Sequence, residues 1–266
     1  RRMSLEVSDL VIEIDGVRVV DGLSFRVADG ERLGIIGESG SGKSLTALAI
    51  LGLLPEGATA GGSIRLNGRE VIGATERELA RIRGDEVGIV FQEPQTALNP
   101  IRTVGRQIAE APRIHRRLGR AARREVAVAG ARRVGLPEPE RIVDRYPHQL
   151  SGGQRQRVAI AMALAMDPGL LIADEPTTAL DVTIQAEILE LLRALVTDAG
   201  MSLVFITHDL AVLAQIATHA VVMESGRIVE QGPVATLLTA PRSTTARGLL
   251  RDARATLWRP NQKEEQ

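Results

Sequence analysis

The chain contains no cysteine. That excludes disulfides, thiol catalysis and cysteine-ligated metal, and it fits a reducing compartment. Aromatic residues are nearly as scarce: Phe25, Phe91, Tyr146, Phe205 and Trp258 are the whole set. Surfaces that stack single-stranded bases need aromatic rings on a basic background, and five scattered rings do not supply one. Net charge is absent too, because 33 Lys and Arg balance 33 Asp and Glu. No global field therefore draws the chain to nucleic acid or anionic lipid. No apolar run approaches the ~18–20 residues that cross a bilayer; the most apolar one, residues 158–166, is too short. The first residues, Arg1-Arg2-Met3-Ser4-Leu5-Glu6, lack a signal-peptide core, and Met3 reads as the natural start. The expectation is a soluble, cytoplasmic chain that reaches a membrane only through a partner.

What is present is a strongly punctuated pattern. Residues 7–14, 17–20, 23–27 and 32–36 are β-rich runs separated by Asp-Gly pairs at 15–16, 21–22 and 29–30. Residues 43–54 read as a helix, and 63–66 and 87–91 as strands. From 93 to 165 the texture changes to alanine and arginine, with prolines at 112, 137, 139 and 147 dividing it into short helices. Strand and helix then alternate: strands at 170–173, 202–206, 220–223 and 227–230, helices at 183–199 and 209–217. Alternation of this kind predicts a mostly parallel sheet with helices on its faces. The core is expected over residues 3–255, with 93–165 as an inserted helical subdomain and 256–266 as a polar, disordered tail.

Gly37-Glu38-Ser39-Gly40-Ser41-Gly42-Lys43-Ser44 fits G-x-x-x-x-G-K-[ST], between a strand and a helix as that motif requires. The glycines let successive N–H groups converge on phosphate oxygens, and the helix N-terminus adds partial positive charge. Lys43 is placed to reach β- and γ-phosphates, and Ser44 to ligate Mg²⁺. The apolar strand Leu170-Leu171-Ile172-Ala173 ends in Asp174-Glu175. Ligands collect at the carboxyl ends of such strands. Asp174 is expected to hold Mg²⁺ and Glu175 to act as general base on water. Gln92, after the strand at 87–91, can coordinate Mg²⁺ or water through its amide oxygen. His208, after the strand at 202–206, can donate to a γ-phosphate. Each of these alone reads equally as an ordinary surface group; their order along the chain gives them roles. His115, His148 and His219 receive none. Ser151-Gly152-Gly153-Gln154 opens a helix with Ser151 at its N-cap, forming a second anion-binding end. A second γ-phosphate site makes sense only if it serves a different nucleotide.

Over about residues 5–240 the chain resembles the ATP-binding cassette ATPases. The matching motifs are the Walker A loop 37–44, the glutamine loop at Gln92, the signature Leu150-Ser151-Gly152-Gly153-Gln154, the Walker B strand 170–175, the Ala179-Leu180-Asp181 loop and the switch histidine His208. The resemblance implies an α/β fold: a P-loop NTPase (RecA-like) core, an N-terminal antiparallel β-subdomain and an inserted helical subdomain. It implies ATP and Mg²⁺ as ligands, with Gly37 through Ser44, Ser151 through Gln154 and Asp181 at the nucleotide. It also implies head-to-tail dimers, in which the signature of one cassette closes on ATP held by the other. The partners implied are a second cassette, identical or paralogous, two permease subunits and an extracytoplasmic substrate-binding protein, but no nucleic acid. The chain would then lie on the cytoplasmic face of the membrane.

Residues 91–100, 146–150 and 174–183 look like the peptide and nickel import branch of that family. That implies uptake of peptides; nickel or metal-chelator import, or an accessory cassette in phosphonate breakdown, are the alternatives. Three departures stand out. The aromatic that stacks on adenine upstream of Walker A is missing. Ile14 or Val17 falls near its place, so aliphatic packing and weaker adenine selectivity are expected. Without cysteine, the iron–sulfur cluster of some peptide importers cannot form. The His-Pro-Tyr-Thr-like stretch after the last strand appears only as Ala240-Pro241-Arg242-Ser243-Thr244-Thr245. Arginines 113, 116, 117, 120, 123, 124, 132 and 133 read as a solvated helical face, or as contact with the membrane partner or lipid headgroups.

Overall fold

The structure, a computed structural model, describes residues 3–92, 97–178 and 180–257. Residues 93–96 of the quoted importer stretch, Ala179, Trp258 and the rest of the tail lie outside the described residues. The described chain forms strands β1 (Leu5–Ile14), β2 (Val17–Val27), β3 (Arg32–Gly37), β4 (Ala58–Leu66), β5 (Arg69–Glu70), β6 (Val87–Val90), β7 (Leu170–Asp174), β8 (Ser202–Thr207), β9 (His219–Glu224) and β10 (Arg227–Pro233). β1, β2, β4 and β5 make an antiparallel sheet in the order β2-β1-β4-β5. The others make a second sheet in the order β10-β9-β3-β8-β7-β6, parallel from β9 to β6, with β10 antiparallel at its edge. β3 and β6, although within the first ninety residues, thus belong to the central sheet.

The central strands are apolar on both faces because both faces are covered. Leu170 and Ile172 of β7, with Val204 and Ile206 of β8, pack towards the antiparallel sheet and the helix Lys43–Ile50. Leu171 and Ala173, with Leu203 and Phe205, pack towards the helices of the 93–165 segment and the helix Val182–Ala199. The inserted segment therefore shares its core with the sheet. Its helices are Val104–Ile108, Glu110–Arg116, Arg120–Arg133, Pro139–Ile142 and Gly152–Ala163. Of its prolines, Pro112 does not break a helix. It sits in the first turn of Glu110–Arg116, where its missing N–H has no intrahelical partner to lose. Arg113, Arg124, Arg132 and Arg133 are paired with Glu110, Asp144, Glu140 and Asp167, so this part of the basic face is neutralised locally.

Tertiary pairing overrides several local readings. The runs at 17–20 and 23–27 are one strand. Register against β1 passes from Leu10–Leu23 to Val11–Asp21, leaving Gly22 as the extra residue of a bulge rather than a turn. The helix expected over 43–54 stops at Ile50. The helix Glu76–Ile82 escapes periodicity because it is short. Its signal is the capping box, in which Thr75 Oγ1 accepts from Glu78 N and the Glu78 carboxylate accepts from Thr75 N. Past β10, Val234–Thr239 and Thr244–Leu257 are helical. The degenerate stretch at 240–245 leads into the latter. Glu230 accepts from the N–H groups of Arg242 and Ser243, and Ser243 Oγ from that of Ala246. Ala246, Leu250 and Ala253 then dock against Leu210, Leu213 and Val222.

Candidate active site

β3 delivers the chain into the loop 37–42, and the helix Lys43–Ile50 leaves from it. Gly42 stands at the helix N-cap with φ +96°, and a Cβ there would lie 2.8 Å from Val20 Cγ2. Only glycine meets both demands. Lys43 is 5% exposed, and its Nζ donates to Gly37 O at 2.9 Å and Glu38 O at 2.7 Å. Burial pushes its ammonium below the usual lysine range; the Glu175 and Asp174 charges oppose that shift. Ser41 Oγ is buried without a hydrogen-bond partner among the described residues. A buried hydroxyl of this kind is costly unless something accepts its proton, and it points to an oxygen-rich ligand in the loop. The loop lines a cleft of about 640 Å³.

Asp174 ends β7 on the face shared with the helix Lys43–Ile50. Ser44 Oγ donates to its Oδ1 at 3.1 Å. Burial raises the Asp174 carboxyl above its ordinary range, against the Ser44 hydrogen bond, and the Glu175 charge adds to the rise. One hydroxyl and one buried carboxylate, opening on a phosphate loop, suit Mg²⁺, which takes few protein ligands and completes its shell with phosphate oxygens and water. No cluster of three His, Asp or Glu able to hold a metal alone exists among the described residues.

Glu175 begins the turn out of β7 at φ +45°, with its N–H donating to Ile206 O at 2.9 Å. Two donors converge on one carboxylate oxygen, Oε2: Gln92 Nε2 at 3.2 Å and Thr178 Oγ1 at 3.0 Å; His208 Nδ1 lies 3.2 Å from the same oxygen. The structure thus gathers Glu175, Gln92 and His208, from the ends of three parallel strands, beside Lys43 and Ser44 in one cleft.

The signature lies elsewhere. None of residues 150–154 lines that cleft, and neither does Asp181. Ser151 and Gln154 form a capping box: Ser151 Oγ accepts from Gln154 N at 3.3 Å, and Gln154 Oε1 from Ser151 N at 3.1 Å. Ser151 and Gly152 are exposed. A Cβ on Gly153 would lie 2.8 Å from Ile184 Cγ2, so this helix end sits tightly on the helix Val182–Ala199. Asp181 caps that helix by accepting from Ile184 N at 3.0 Å.

Sequence reasoning missed five lining residues: Val19, Leu45, Thr178, Leu249 and Asp252. The aliphatic residue that the antiparallel sheet brings to the cleft is Val19, not Ile14 or Val17; Val17 is 64% exposed. Val19 is set beside the loop because β2 approaches the β9–β10 turn, where Asp21 N donates to Gly226 O at 2.8 Å. Leu249 and Asp252 come from the helix Thr244–Leu257, for which the helical spacing of Ala246, Leu250 and Ala253 was the available signal. Thr178 was legible as a hydroxyl three residues after Glu175, across Pro176.

A parallel sheet carrying a phosphate loop, a carboxylate-ended strand and an inserted helical segment defines an ATP-binding cassette. The family profile described as ABC transporter matches residues 20–178, and the chain belongs to that family. It is 49% identical over 252 residues to a "probable peptide ABC transporter ATP-binding protein" of Sinorhizobium fredii, covering 92% of this chain and 75% of that one. It is 49% identical over 251 residues to an oligopeptide transport ATP-binding protein of Mycobacterium bovis; that match covers 92% of this chain but 41% of the mycobacterial protein, so this chain spans less than half of that relative. The fold superposes, with a TM-score of 0.77 at 29% identity, on an ATP-binding cassette solved as a dimer in a post-hydrolysis state with ADP and Pi; 86% of this chain and 98% of that chain are covered.

Proposed function

We propose that this chain is the ATP-hydrolysing subunit of an importer that takes up peptides through partner permease subunits. The observation that carries the mechanism is the division of the site. Lys43, Ser44 and Glu175 line one cleft and Asp174 backs it through its bond with Ser44, while the signature that should complete it faces outward from the same chain. The peptide cargo is supported by the names of the relatives.

Lys43 exchanges its two loop carbonyls for phosphate oxygens. The N–H groups of the loop and of the first turn of the helix Lys43–Ile50 take the remainder. Ser44 and Asp174 would hold Mg²⁺, and the bound ion would supply positive charge that offsets the negative charge of the phosphates. Glu175 accepts a proton from the attacking water as its oxygen bonds to Pγ, and the pair of the breaking Pγ–O bond leaves on ADP. Gln92, which donates to Glu175, and His208, 3.2 Å from it, are placed to sense the γ-phosphate by turning towards it. Ser151 and Gly153 of the second cassette close over the nucleotide, so hydrolysis opens a dimer. That motion is passed to the permease. A substrate-binding protein outside the membrane delivers cargo, and the cassette rides on the cytoplasmic face. No helix among the described residues is long and apolar enough to cross a membrane.

Glu175→Gln tests the chemistry. ATP binding persists, turnover falls by roughly a thousandfold, and ATP-trapped dimers appear on size exclusion. Near-normal turnover would remove Glu175 as the base.

A further inference from the structure

We infer that Thr178 is a positioning residue for hydrolysis: its hydroxyl pins one oxygen of Glu175, keeping the other turned to the attacking water. This rests on the reading of Glu175 as the general base.

The geometry follows from the local sequence. Glu175-Pro176-Thr177-Thr178 is a tight turn closed by Thr178 N–H donating to Glu175 O at 3.2 Å. Proline is preorganised for the second position of such a turn. Closure carries the side chain at the fourth position back over the first, and Thr178 Oγ1 donates to Glu175 Oε2 at 3.0 Å. Oε1 takes no hydrogen bond among the described residues. A carboxylate held at one oxygen offers the other as base.

The three groups against Oε2, the donors Gln92 and Thr178 and the neighbouring His208, are not equivalent. Gln92 stands on an exposed segment after β6, and the His208 side chain is 60% exposed after β8. Either can leave Glu175 by rotating, as both must if they are to contact metal or phosphate. Thr178 is tied to Glu175 by the turn itself and is half-buried. It is the donor that remains once the nucleotide has recruited the other two. Glu175, with φ +45°, sits in backbone that L-residues seldom adopt, so the turn and its side-chain bond restrain a residue whose placement would otherwise be soft.

Thr178→Val is isosteric and removes only the hydroxyl. Steady-state ATPase assays on the purified chain should show kcat lower by about tenfold, with KM for ATP within about twofold, as expected when an interaction made in the transition state is lost. Thr178→Ser should return kcat to within about threefold of wild type, because serine keeps the donor. In the double variant with Glu175→Gln, Thr178→Val should add no further loss, since both act through one carboxylate. ATP-trapped dimers of the double variant show that folding and binding are intact; should valine not be tolerated, Thr178→Ala against Thr178→Ser makes the same comparison. The inference is overturned if Thr178→Val keeps at least half of wild-type kcat while Glu175→Gln is inactive, or if serine is as slow as valine. Glu175→Gln with wild-type turnover would instead sink the reading of Glu175, an outcome the single variants keep distinct.

Discussion

Asp174 and Lys43 are opposite charges in one buried site, yet burial moves each of them towards its neutral form. For Asp174 the sign is clear. A carboxyl whose folded pKa lies above its ordinary 3.8 binds more protons folded than unfolded, so ionising it lowers stability as pH rises through that window. At neutral pH the penalty is fully present in the nucleotide-free protein. Asp174→Asn keeps the acceptor for Ser44 and removes the charge. The melting temperature without nucleotide should rise by about 2 °C at pH 8, on a scale of about 1 kcal/mol. The gain should shrink as pH is lowered towards about 4, and Mg²⁺-dependent turnover should be lost. Melts of nucleotide-free protein across pH check this; an unchanged or lower melting temperature at pH 8 contradicts it. That Asp174 and Ser44 belong together was readable from motif order. That the pair is dry was not, because burial depends on what the antiparallel sheet lays over β7.

Among the elements, the inserted helices hold together through Glu110 as well as through their apolar faces. Its carboxylate accepts from Arg102 at 2.8 Å and from Arg113 at 2.9 Å, in the first turn of the helix Glu110–Arg116, where negative charge also suits the helix end. The hydrogen bonds from Arg113 and then Arg102 hold it at about 2, against an ordinary 4.5. A depressed carboxyl stabilises the fold above its unfolded pKa, and that contribution disappears as pH falls from 4.5 towards 2. Glu110→Gln should therefore cost about 1 kcal/mol at pH 7, after allowing for partial exposure. The gap between the variant and wild type should close through that acid window. Urea titrations at a series of pH values measure it; a gap that persists below pH 3 would point to packing instead. The helical texture of 93–165 was evident from composition. The Arg102–Glu110–Arg113 arrangement was not, because it needs the loop before one helix to fold against the start of the next.

For the whole molecule, the proposed function makes each active site a shared object, with the outward-facing signature serving a second chain. Lys43→Ala disables a chain's own phosphate loop, and Ser151→Arg disables what it offers to a partner. Neither variant alone should hydrolyse ATP. In a two-fold dimer, mixing them restores one competent site per mixed pair: the loop from one chain and the signature from the other. An equal mixture should recover about a quarter of wild-type turnover, since half the dimers are mixed and each has one good site. ATPase assays on the mixture against each variant check this, and no recovery would show that this chain does not pair with itself.

The sequence by itself determined the order of the chemistry. The glycine-rich loop, the apolar strand ending in two carboxylates, the capped signature helix and the histidine after a strand are local patterns. Each is specified by backbone freedom, alternation and capping over a few residues. Only the tertiary structure decided what they do to one another. Ser44 meets Asp174 across 130 residues and Gln92 meets Glu175 across 83. Val19 enters the cleft because one sheet edge approaches another, and Leu249 and Asp252 because a C-terminal helix finds the apolar face left by β9 and the helix Leu210–Ile216. Contacts between distant segments depend on how layers stack, and no window of sequence contains that information.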